Sequence, residues 1–127
     1  MGYAKANLRE VEDSAAKHGA GETQEARFPR EQLGLEQTGL NYLTVKPGLR
    51  EAFAHRHRQA EEVYVVLAGS GRVKLDAELV ELAPLDVVRV EPGTTRSFEA
   101  GPEGLQVLIF GARMPGDGEL VEGFWDS

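Results

Sequence analysis

Cysteine is absent from the 127 residues, which rules out thiolate metal sites, disulfides and cysteine nucleophiles and leaves the redox compartment open. Histidine is almost as scarce. There are three, and His18 has no partner at ligand spacing, so any site with more than one imidazole must use His55 and His57. Long apolar runs are missing too. The first stretch, MGYAKANLREVEDSA, lacks the apolar centre of a signal peptide, and no run approaches the ~20 residues that cross a bilayer. These absences predict a soluble, cytoplasmic protein with no membrane partner. Positive charge is in the minority, 14 Lys and Arg against 21 Asp and Glu. A net charge of −7 argues against nucleic acid, while leaving room for an arginine that holds one small anionic molecule. No phosphate loop with Gly-Lys-Ser/Thr and no Gly-x-Ser-x-Gly elbow occurs, which removes the usual signals for nucleotide phosphates and for a hydrolase triad.

What the chain does contain is enough apolar residue, 41%, for the core of one domain. Residues 1–39 read as an N-terminal arm with short helices. Asn7 and Glu10 have capping-box spacing, Gly19 would stop the helix they start, and Pro29 opens a second one that Gly34 ends. From Asn41 onward the character changes to NYLTV, EAFAHRH, EVYVVLA, GRVKLD, ELVELA, DVVRV, TRSFEA and LQVLIF. These are short β-branched and aromatic segments separated by KPG, GSG, EPG and GPEG. The expected fold is all-β, an antiparallel double-sheet jelly roll or β-barrel over 40–110, followed by a tail over 111–127. Period-two alternation puts His55 and His57 on one face with Phe53, Glu62 with Tyr64 and Val66, and Arg96 with Phe98. The terminal Phe124 and Trp125 read as a plug over a barrel end or as a subunit contact.

The stretch GLREAFAHRHRQAEEVYVVLAG carries Gly48, then His-x-His at His55 and His57, Glu62 after four intervening residues and Gly69 after six more. Together with LDVVRVEPGTTRSFEA, this resembles the cupin family. The leading spacer is one residue longer than the usual form. In the second segment Asp86 and Pro92-Gly93 match, whereas Leu85 stands where glycine is usual and Arg96 stands where the family has its remaining histidine ligand. The resemblance implies the barrel and a metal at its mouth. It does not select an activity, because one fold serves many chemistries. Cupins resembling this chain commonly pair, so a homodimer is expected, with the arm and LQVLIF as contact candidates.

Two neutral imidazoles and a carboxylate suit a divalent transition metal, Fe, Mn, Ni or Zn, with positions left for water or ligand. His55, His57 and Glu62 are therefore the candidate metal ligands. Arg96 cannot ligate, but a guanidinium can take a carboxylate or phosphate in bidentate fashion. With Tyr64, Phe53 and Phe98 as walls, it forms the candidate ligand pocket. The other reading is a metal-free binding or sensory module in which Arg96 pairs with Glu62 directly. Tyr64 and Phe98 are equally suited to plain core packing. Glu61 should face away toward Arg56 or Arg58, and Asp86 should order the turn before its strand. No residue stands out as a catalytic base, so the sequence leaves open whether the protein is an enzyme.

Overall fold

The computed structural model describes residues 2–126. Eight strands form one curled antiparallel sheet: β1 (Gln24–Arg27), β2 (Thr38–Val45), β3 (Ala54–His57), β4 (Glu62–Leu75), β5 (Glu78–Leu82), β6 (Val87–Val90), β7 (Arg96–Ala112) and β8 (Gly118–Val121). Helix is almost absent, with α1 (Arg30–Leu33) and three single 3₁₀ turns in the described residues. No helix is long and apolar enough to cross a membrane.

The curl comes from β4 and β7, which pair along nearly their whole length and bend together. The first half of β4 and the second half of β7 join β1, β2 and β6 in one layer. The other halves join β3, β5 and β8 in the second layer. The bend falls between Gly69, opposite Leu105, and Gly71, opposite Ala100. At Gly69 φ is +82° and a Cβ would lie 2.0 Å from the Gly104 carbonyl oxygen, so only glycine lets the two backbones approach so closely. GSG and GPEG are thus bends within two long strands, whereas composition suggested turns that end them. The eighth-strand count is made up by β1 and β8, which extend the sheet beyond 40–110 at both ends.

Alternation sets the core as expected of half-buried strands. Leu43 and Val45 of β2, Tyr64 and Val66 of β4, and Leu105, Val107 and Ile109 of β7 face inward from the first layer, meeting Val73, Phe98 and Ala100 from the second. The arm is pinned onto the sheet by Asp13, whose Oδ1 accepts the N–H groups of Ala15 and Ala26, both at 2.9 Å. Gly19 and Gly34 end their helical turns with φ of +75° and +64°. At the other end, the 3₁₀ turn Phe124–Asp126 packs against Lys74 of β4 and Ser97 of β7 in the second layer. There the Trp125 indole donates to Ser97 Oγ at 3.0 Å and stacks under the Arg50 guanidinium. That cover explains why Lys74, which alternation places outside, is only 6% exposed.

Candidate metal centre

Strand β3 is short but has neighbours on both sides, with His55 opposite Arg96 of β7 and opposite Leu120 of β8. Period two then sends His55 and His57 into the same cavity. Glu62 begins β4 and faces Gly111 of β7. A Cβ at Gly111 would stand 3.2 Å from Glu62 Cγ, so the glycine leaves the space the carboxylate needs. The turn at Pro92-Gly93 is tied to the cluster, because the Gly93 N–H donates to the His57 carbonyl at 2.7 Å.

Ligand atoms of His55, His57 and Glu62 all lie within 4.8 Å of one another. His57 Nε2 is 3.5 Å from Glu62 Oε2, and His55 Nε2 is 3.7 Å from Glu62 Oε1. Donors held ~2.1 Å from one ion stand roughly 3 to 4 Å apart, so the cluster fits a single metal. Burial draws the His57 pKa down, which keeps the imidazole neutral and able to ligate. Burial pulls Glu62 the other way, but His55 and Arg96 outweigh it and hold the carboxyl at about 2, so it is ionised.

Arg96 lies behind Glu62 and is fully buried. Its Nη2 donates to Glu62 Oε1 at 2.6 Å, its Nε to the Tyr64 hydroxyl at 2.9 Å and its Nη1 to the Thr94 carbonyl at 2.8 Å. Every nitrogen of the guanidinium is engaged inside the barrel. The Tyr64 hydroxyl in turn donates to Glu62 Oε1 at 3.2 Å. Tyr64 is 1% exposed and its ring packs on Phe98 at 5.0 Å, so Tyr64 serves the core and braces the carboxylate. Phe98 lines the cavity around the cluster, about 320 Å³, together with Glu51, His55, His57, Glu62 and Arg113. Phe53 lies beside His55 in an adjoining cavity. Glu61 points outward to Arg89, and Asp86 accepts the Ala83 N–H in its turn.

Two carboxylates of the site went unnoticed in the sequence. Asp117, in the turn before β8, places Oδ2 3.4 Å from His57 Nδ1 and accepts the N–H groups of Gln59 and Ala60. His57 Nδ1 itself is buried with no hydrogen-bond partner, so Asp117 stands where a small shift would fix the tautomer that leaves Nε2 free for a metal. Glu51 accepts the Phe98 N–H through Oε1 at 2.9 Å. Burial pushes its carboxyl up to about 7, against the opposing charge of His55. It has the same parity as Phe53, His55 and His57, a signal that alternation could have delivered.

Comparison with known proteins agrees with this fold. Residues 41–110 match the cupin domain. A cupin protein from Bacteroides fragilis is similar in structure over 98% of this chain and 92% of its own, with TM-score 0.72 and 22% identity. A sugar phosphate isomerase of the cupin superfamily from Silicibacter pomeroyi covers 93% of this chain and 82% of its own, with TM-score 0.73 and 20% identity. A polyketide cyclase from Streptomyces resistomycificus covers 92% and 84%, with TM-score 0.76 and 20% identity. No curated protein matches the chain in sequence. The matched domain takes in both histidines, Glu62 and Arg96, and the chain belongs to the cupin family.

Proposed function

We propose that this protein binds a divalent transition metal, Fe, Mn, Ni or Zn, through His55, His57 and Glu62, and presents it to a small anionic ligand in the adjoining cavity. The observation that carries this is the convergence of the three donor atoms within 4.8 Å. A bound ion would supply Lewis-acid polarisation of a carbonyl or carboxylate, or oxygen chemistry if it were iron. Glu62 and Arg96 set the geometry, since the guanidinium occupies Oε1 and leaves Oε2 toward His57. Arg113, the one arginine lining the cavity among the described residues, takes the anion-recognition role expected of Arg96, whose guanidinium is engaged by Glu62, Tyr64 and Thr94. Asp117 orients His57, and Glu51 is placed to exchange a proton with a bound ligand, because a carboxyl titrating near neutrality can act in either direction.

The relatives whose names specify sugar phosphate isomerisation and polyketide cyclisation are too distant to choose between those chemistries. They are compatible with a small-molecule ligand. A homodimer in the cytoplasm completes the proposal. Strand β7 is paired along both edges, so a second subunit would meet LQVLIF through its half-buried outer face.

The short Arg96–Glu62 contact at 2.6 Å favours a second reading, a metal-free ligand-binding module organised by that ion pair. Elemental analysis of untagged protein, before and after exposure to Fe(II), Mn, Ni and Zn, separates the two. Near-stoichiometric metal that disappears in His57→Ala supports the metal centre, and no uptake of any of the four supports the ion-pair module.

A further inference from the structure

A second cavity, about 440 Å³, opens beside the metal centre under the N-terminal arm. Its walls are mainly apolar, with Ala15 and Ala20 from the arm, Ala26 of β1, Leu43 of β2, Phe53 and Leu120, and Ser14, His18 and Gln24 add polar edges. The three alanines are nearly fully buried, and their short side chains are what make the wall concave. The roof is fixed in place, since Asp13 and the Ser14 N–H tie the arm to Ala26. No lysine or arginine lines this space, so an anionic group placed there would lose its hydration without gaining a permanently charged partner. Phe28, Asn41, Glu51 and His55 line both this cavity and the one around the cluster. The two spaces therefore adjoin, with Asn41, Glu51 and His55 at the junction and a mainly apolar surface beyond it that Ser14, His18 and Gln24 interrupt. Such a division of lining residues is how small-molecule sites fix orientation and supply affinity separately.

We propose that the ligand of this site has two parts, an oxygen-donor group that reaches His55, His57 and Glu62, and an uncharged apolar body of ring size seated beneath the arm. The proposal rests on the metal reading above and adds the substrate class to it. Compact hydrophilic ligands would leave the apolar annex filled only with water.

Three probes test it. Acetohydroxamate offers the chelating group alone, 2-naphthohydroxamate adds the apolar body, and 2-naphthol offers a ring without a chelator. On zinc-loaded protein, calorimetry should show 2-naphthohydroxamate binding at least ~10-fold tighter than acetohydroxamate. In Leu120→Lys and Phe53→Ser that preference should fall severalfold, with acetohydroxamate affinity kept in Leu120→Lys. Both side chains are substantially exposed, Leu120 69% and Phe53 39%, so neither change threatens the core. Equal affinity for the two hydroxamates, or a preference untouched by both substitutions, overturns the proposal. Failure of the metal reading gives a different pattern, with no zinc retained and no acetohydroxamate binding. In that case fluorescence of 2-naphthol on the metal-free protein still decides the annex. Binding that Leu120→Lys weakens supports an apolar body there, and no binding refutes it.

Discussion

Removing the guanidinium of Arg96 leaves Glu62 as a largely buried carboxylate without its shortest contact. Arg96→Met should cost the metal-free protein about 3–5 kcal/mol, the usual consequence of stranding one member of a buried pair. Adding Glu62→Gln should return much of that loss, which urea unfolding of both variants will show. Glu51 gives a second handle, through pH. Its carboxyl titrates near 7 in the folded protein against an ordinary 4.5. The folded state thus holds the proton more tightly, and the contribution is full below pH 4.5 and lost as pH rises through 7. Glu62 has the opposite sign, with a contribution lost as pH falls from 4.5 toward about 2. Metal-free Glu51→Gln should therefore lose less stability than the wild type between about pH 5 and pH 8, by roughly 1–3 kcal/mol in chemical denaturation. Leu85 is a local cost of another kind. It has φ of +71° and is 78% exposed, at the position where the sequence resemblance places glycine. Leu85→Gly should raise stability by about 0.5–1 kcal/mol, the left-handed strain relieved minus the added chain entropy. Legibility at this scale followed spacing. His55, His57 and Glu62 announce themselves by their intervals, whereas Glu51 went unnoticed although it shares the parity of the two histidines. Asp117 had no such mark, because its partner His57 is 60 positions away in the chain and only the β3–β8 pairing brings them together.

The elements depend on one bend. Gly69→Ala would drive a methyl group to within 2.0 Å of the Gly104 carbonyl oxygen at a residue already in the left-handed region. It should destabilise the protein by roughly 3 kcal/mol or more, whereas Gly93→Ala, with open space around its Cβ, should cost about 1 kcal/mol, the left-handed strain alone. Thermal melts of the two variants compare them directly. Alternation made the strands visible, and the inward set Leu105, Val107 and Ile109 matches the pattern in LQVLIF. What alternation could not reveal is that glycine both ends strands and lets them fold over a neighbour, so GSG and GPEG look like turns in either case. Strands β1 and β8 escaped notice for a different reason. QEAR and GELV carry little periodic apolar signal, and each is a strand because a paired edge of β2 or β3 is there to receive it.

On the scale of the molecule, two layers of one folded sheet make a scaffold whose candidate metal ligands come from β3 and β4, while the walls of the adjoining space come from the arm, β1, β2 and β8. Excess negative charge is spread over the chain, but near the cluster it is specific. Asp117, beside His57, and Glu62 carry negative charge that would offset the opposition of Arg96 to a divalent cation. The metal site proposed at His55, His57 and Glu62 is the central claim, and it is tested most directly by anomalous scattering from crystals grown with Mn or Zn. The account predicts one strong peak about 2.0–2.2 Å from an imidazole nitrogen of His55, one of His57 and a carboxylate oxygen of Glu62, with Arg96 still bonded to the other oxygen. Crystals that diffract well and show no peak there, with Arg96 and Glu62 paired as the cluster's only charges, would contradict it.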